Sequence, residues 1–117
     1  MGRILKETYH FGRISASTTN QRFTRILEPQ PARISEIHVY GGSSTDFDVE
    51  IYDEENYDRI NLIAELLSTN VEDHIILDPP VLVCNSEKRY IFFKVDNNDA
   101  SNPLDLKVKL VYEPVGE

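Results

Sequence analysis

The sequence predicts an all-β domain, an antiparallel β-sandwich of about eight or nine strands. Three observations carry this. Apolar and polar residues alternate over 33–40, 46–52, 88–95 and 104–112, the two-residue period of a strand with one face toward a core. Stretches rich in Gly, Pro, Asn and Asp separate these segments at intervals of roughly ten residues, as in sandwiches and barrels. The length, 117 residues, suits one domain with one core.

Residues 3–11 alternate without a cleanly apolar phase, which suits an edge strand or an arm ordered by a neighbour. Residues 14–20 are small and polar and read as a loop or weak strand. Residues 22–27 are a strand, closed by Glu28-Pro29-Gln30-Pro31, whose prolines lack the amide donors that a central strand needs. Over 33–40, Ile37 and Val39 face one way while Glu36, His38 and Tyr40 face the other. Gly41-Gly42-Ser43-Ser44 then turns the chain.

Residues 46–52 carry the clearest pattern, with Phe47, Val49 and Ile51 on one face and Asp46, Asp48, Glu50 and Tyr52 on the other. That is an antiparallel strand with one wet side. A charged loop covers 53–58. Residues 59–67 fit two patterns: Ile60, Ile63, Ala64 and Leu67 at helical spacing after a capping Asp58, or Leu62, Ala64 and Leu66 at strand spacing. The strand is preferred because the run is short, with one short helix near 59–67 as the other option. Thr69-Asn70 turns, residues 74–77 form a short strand before Asp78-Pro79-Pro80, and 81–84 is a short apolar run. In 88–95 both phases begin apolar, which predicts a central strand. Residues 96–103 are a polar loop, and 104–112 is a clean strand ending near Pro114. The irregular spacing and longer loops favour jelly-roll or Greek-key connections over a meander.

Composition bounds the function. No apolar run approaches the roughly 18 residues that span a bilayer, and the charged N-terminus has no apolar core of a signal peptide; neither secretion nor membrane attachment is expected. The single cysteine, Cys84, excludes an intramolecular disulfide and reads as a small buried hydrophobe. Net charge is −8, which argues against nucleic-acid binding. Its distribution says more. Residues 1–40 carry six Lys/Arg (Arg3, Lys6, Arg13, Arg22, Arg25, Arg33) against three acids, whereas residues 41–117 carry six against seventeen. A mildly basic first third precedes a strongly acidic body.

Chemistry-bearing patterns are sparse. His10, His38 and His74 show no metal-ligand spacing and would have to converge from different strands. The row Asp46, Asp48, Glu50 is not an EF-hand, since Ile51 and Tyr57 stand where that loop needs Gly and Glu. The loops around 53–58 and 96–99 hold enough oxygens for a different calcium site, though acidic loops are more often simply solvated. There is no Gly-x-Ser-x-Gly, P-loop or Gly-x-Gly-x-x-Gly. An enzyme is not expected, and no cofactor or metal is assigned. Six tyrosines without tryptophan raise sugar stacking on Tyr9, Tyr40, Tyr52 or Tyr57; the plainer reading has Tyr40 and Tyr52 covering an outer sheet face or a partner surface.

Three stretches, 37–42, 46–53 and 90–97, give residues 34–112 a resemblance to small jelly-roll accessory proteins of phage and virus particles. The same strands are also similar in style to carbohydrate-binding or prepeptidase-type sandwiches. The first resemblance implies a capsid decoration (cement) protein that clamps neighbouring shell subunits, made in the host cytoplasm and carried on the virion, as a homo-oligomer such as a trimer. It transfers no binding residues.

The residues themselves supply a compatible division: 1–32 as a basic arm or pair of edge strands, 33–117 as the sandwich. An arm would lie across another subunit or add a strand to it, the basic segment of one copy meeting the acidic body of the next. In that case deleting residues 1–20 leaves a folded monomer; if the segment belongs to the core, the deletion unfolds the chain. Candidate partner-binding residues are Arg3, Lys6, Tyr9, Arg13, Arg22, Arg25, Tyr40 and Tyr52. The alternatives are a small module that recognises carbohydrate or calcium, and a host-derived interaction domain.

Overall fold

A computed structural model describes residues 3–83 and 89–115. Among these residues eight strands form two four-stranded antiparallel sheets: β1 (Leu5–Ile14), β2 (Thr18–Ile26), β3 (Ala32–Tyr40), β4 (Phe47–Tyr52), β5 (Leu62–Thr69), β6 (Glu72–Val83), β7 (Tyr90–Asn97) and β8 (Leu104–Pro114). The strand orders are β1-β8-β3-β6 and β2-β7-β4-β5. Successive strands therefore cross between the sheets, except at the β4–β5 hairpin. This is the jelly-roll arrangement of two interleaved Greek keys. Both sheets start on the same side, where β1 neighbours β2, and end together at β5 and β6. The sandwich thus has two lateral margins, β1/β2 and β5/β6.

Alternation explains the core. The inward faces of β3, β4, β7 and β8 supply Ile34, Ile37, Val39, Phe47, Val49, Ile51, Ile91, Phe93, Val95, Leu104, Leu106, Val108 and Leu110, all buried. The strand expected to be central is so: β7 lies between β2 and β4; β8 is also central, between β1 and β3. Residues before 33 also fill the interior. Tyr9, Phe11 and Ile14 of β1, with Leu27 and Ala32, are buried in the same cluster. Phe11 lies 4.9 Å from Phe23 and 4.9 Å from Phe93, ring to ring, and Tyr9 lies 5.6 Å from Phe93. Gly41 follows β3 where a Cβ would collide with the buried Phe47 ring and come within 2.9 Å of Leu104.

Several boundaries differ from the sequence reading. Residues 18–21 belong to β2, and Asp96 and Asn97 to β7. Residues 59–67 divide into a one-turn 3-10 segment, Arg59–Asn61, and the start of β5; Asp58 makes no side-chain cap there. Residues 74–77 and 81–83 are one strand, β6, which runs through Asp78-Pro79-Pro80. This is possible because β6 is a sheet edge, where a missing amide donor is tolerated. The register shows the adjustment: Ile34 faces Val81 while Glu36 already faces Ile76, so the prolines lie in a bulge. Cys84 lies outside the described residues.

Candidate partner-binding surface

The sheet registers dictate which outward side chains are neighbours. On the outer face of the first sheet, one row runs His10, Lys107, Tyr40, Glu72 across β1, β8, β3 and β6. The next runs Thr8, Lys109, His38, His74, and the third Lys6, Val111, Glu36, Ile76. On the outer face of the second sheet, a row runs Arg22, Lys94, Glu50, Glu65 across β2, β7, β4 and β5. In these rows the cations occupy the half nearer β1/β2 and the carboxylates the half nearer β5/β6.

Local pairing holds the second row in place. Glu50 and Glu65 stand directly opposite, which is unfavourable for like charges. Lys94 approaches Glu50 at 3.9 Å, Tyr52 donates its hydroxyl to Glu50 at 2.8 Å, and Arg59 binds Glu65 through two nitrogens at 2.7 and 3.2 Å. The Arg59 guanidinium holds the Glu65 carboxyl below its ordinary value. On the basic half, Asp105 is matched by Arg13 at 3.5 Å.

The predicted contact residues differ in exposure. Lys6 and Arg13 project from β1 and are exposed; Arg3, also exposed, lies just before it. Arg22 is exposed on the outer face of β2, its guanidinium 4.5 Å from the Tyr57 ring. Tyr40, on β3, borders a shallow open concavity with His38, Glu72, Asp73 and His74. Arg25 is half-buried and turns inward, lying 4.7 Å from the Phe11 ring and 5.5 Å from that of Phe23. Its guanidinium thus packs against aromatic rings of β1 and β2, a favourable cation–ring contact.

Tyr9 and Tyr52 require a correction, because neither offers a surface. Tyr9 is buried and donates its hydroxyl to the Ile26 carbonyl at 2.8 Å. Tyr52 is on the outer face but only 2% exposed. The loop after β4 folds back and lays Tyr57 on it, ring centroids 5.2 Å apart, with Phe92 beside them. Burial, then the bond to Glu50, pushes the Tyr52 phenol up to about 12. Sequence alternation placed Tyr52 on the outer face correctly but contained no signal for the loop that covers it.

Two features went unrecognised in the sequence. His38 and His74, far apart in the chain, face each other across β3 and β6 with rings stacked 5.4 Å apart, and His38 lies 3.2 Å from Glu36. Among the described residues no group of three or more His, Cys, Asp or Glu is placed to hold a metal ion. The second feature is the polar loop between β7 and β8, residues 98–103. The Asp99 carboxylate accepts from the Thr45 amide and hydroxyl, the Ser101 amide and both the amide and side chain of Asn102, at 2.8–3.1 Å. Those bonds, Thr45's first, hold Asp99 far below its ordinary value. Asp48 likewise accepts from the Ser68 amide and the Asn98 side chain. These carboxylates order loops.

No protein-family model matches the chain, and no curated protein matches it. Its fold is similar to that of solved structures. A chain from the cyanophage Pam1 capsid asymmetric unit superposes with a TM-score of 0.65 at 14% identity, covering 97% of this chain and 86% of that one. A chain from the disulfide-linked pili of Bacillus endospore appendages superposes at 0.51, with 8% identity and coverage of 97% and 91%. A chain of the tomato aspermy virus structure gives 0.45, with 9% identity and coverage of 97% and 79%. A phage capsid chain is thus among its structural neighbours, and the likeness is one of fold.

Proposed function

We propose that the chain is a non-enzymatic structural protein of a virus or phage particle, a capsid decoration protein that self-associates and binds neighbouring shell subunits. The observation that carries this reading is the jelly roll shared, almost end to end, with a chain of a phage capsid asymmetric unit. The surface supports it. Binding energy in such a protein comes from broad, complementary faces, and the ordered charge rows on both sheets provide them. The acidic segment at 96–99 is tied into the fold by backbone donors to Asp96 and Asp99, which favours a scaffold role for it over calcium binding.

The test is to purify particles from the strain that encodes this chain and to quantify it by mass spectrometry against the major shell protein. The reading expects a fixed ratio that survives density-gradient purification. Recovery of the chain only in the soluble fraction, with clean particles beside it, would reject it.

A further inference from the structure

The charge rows have a direction, and it is the same in both sheets. From the β1/β2 margin inward come Lys6, Lys107 and Lys109 on one face and Arg22 and Lys94 on the other; toward the β5/β6 margin come Glu36 and Glu72, then Glu50 and Glu65. On the strands of the basic side the exceptions are Glu7 on β1, Asp96 on β7, and Asp105 and Glu113 on β8, Asp105 being paired with Arg13; on the acidic side they are Arg33 on β3 and, just before β5, Arg59, which is paired with Glu65. Strand β6 adds Asp73 and Asp78 at the opposite edge.

Both margins also expose apolar side chains. Ile60, Leu67, Ile76 and Leu82 project at the β5/β6 side, Ile60 at 89% exposure, and Ile4 and Ile26 project at the β1/β2 side. Large apolar side chains beside the open edges of two sheets are unusual for a surface that stays in water.

We infer that the β1/β2 margin of one copy docks against the β5/β6 margin of a second copy, head to tail. The inference rests on the reading of the chain as a self-associating shell protein and identifies the surfaces that self-association uses. Like margins repel, since each side carries a net charge of one sign, so a two-fold contact through either margin is disfavoured. Opposite margins attract and bring apolar residues together at their rims. Such a contact is heterologous: it leaves one free margin at each end and closes only into a ring of three or more copies, or continues as a row.

Light scattering on the purified chain tests this with two surface variants. Lys6→Glu/Arg22→Glu reverses the basic margin; Glu72→Lys/Asp73→Lys reverses the acidic one. Wild type is expected to associate at low ionic strength and to dissociate toward monomer in about 1 M salt, where charges are screened beyond roughly 3 Å. Each variant alone should run as a folded monomer, checked by near-UV circular dichroism. Mixed in equal amounts the two variants should associate again, because each then meets a margin of opposite sign. Wild type that oligomerises while both variants keep its size would overturn the head-to-tail contact and leave self-association standing. A wild type that stays monomeric at every salt and concentration would overturn both, with particle association still judged separately by mass spectrometry.

Discussion

Ser44 donates its hydroxyl to the side-chain carbonyl of Asn97 at 2.8 Å, and both residues are fully buried. The same Asn97 oxygen accepts from the Asp99 amide, while its nitrogen reaches the carbonyls of Ile14, Ser15 and Asn102 at 3.3, 3.1 and 3.0 Å. One side chain therefore joins the end of β1, the turn before β4 and the loop between β7 and β8. Buried polar groups are costly when left unpaired, so this amide is a structural joint. Asn97→Ala should lower stability by about 3 kcal/mol, since several buried groups lose partners together. Urea unfolding should show a lower midpoint with unchanged slope; a loss within experimental error would mean that water replaces the amide freely.

Asp99 makes the fold sensitive to acid. Its carboxyl lies below the ordinary value of 3.8 because the donors that surround it favour the charged form. The stabilisation is whole above pH 4 or so and is lost as pH falls below that range, when the unfolded chain takes up a proton that the native chain resists. Thermal midpoints of wild type should therefore drop on acidification below about pH 4. Asp99→Asn should be less stable at neutral pH and show a shallower acid decline. Parallel pH profiles for the two proteins would rule Asp99 out as the cause.

Alkaline behaviour has the opposite sign. Burial raises the phenols of Tyr9, Tyr52, Tyr57 and Tyr112 above their ordinary value of 10, Tyr52 to about 12. The fold favours their neutral forms, so their contribution is present below pH 10 and lost as pH rises toward 12. Tyrosinate absorbance should lag behind that of free tyrosine and reach completion only together with loss of near-UV circular dichroism. Complete ionisation near pH 10 with the fold intact would contradict the burial of these rings.

Deleting residues 1–20 removes β1, with Tyr9, Phe11 and Ile14, and uncovers the edge of β8. The truncated chain should be unfolded by circular dichroism, because removing even one large buried aromatic typically costs about 3–5 kcal/mol and a domain of this size has only about 5–15 kcal/mol in total. Cooperative unfolding of the truncated chain would instead identify the segment as an arm.

Much of the fold was legible in the sequence because alternation is a local property. A strand facing a core on one side must repeat every two residues, and 33–40, 46–52, 88–95 and 104–112 do so. The prolines at 79 and 80 misled because their effect depends on position in the sheet: they end a central strand, but an edge strand such as β6 accommodates them in a bulge. The exposure of Tyr9 and Tyr52 was not readable for a related reason. Alternation assigns residues to two faces, and only the packing of other elements says which face, or which part of one, is covered.

By itself, then, the sequence determined the class of fold, the approximate strands and the split between a basic first third and an acidic remainder. The tertiary structure decided what that split means in space. Strand β1 lies beside β8, at the far end of the chain, and His38 meets His74 only because β3 and β6 are neighbours. Sheet order brings together residues of large sequence separation, and no local period encodes it. It is that order which turns scattered Lys, Arg and Glu residues into rows running from one margin of the sandwich to the other.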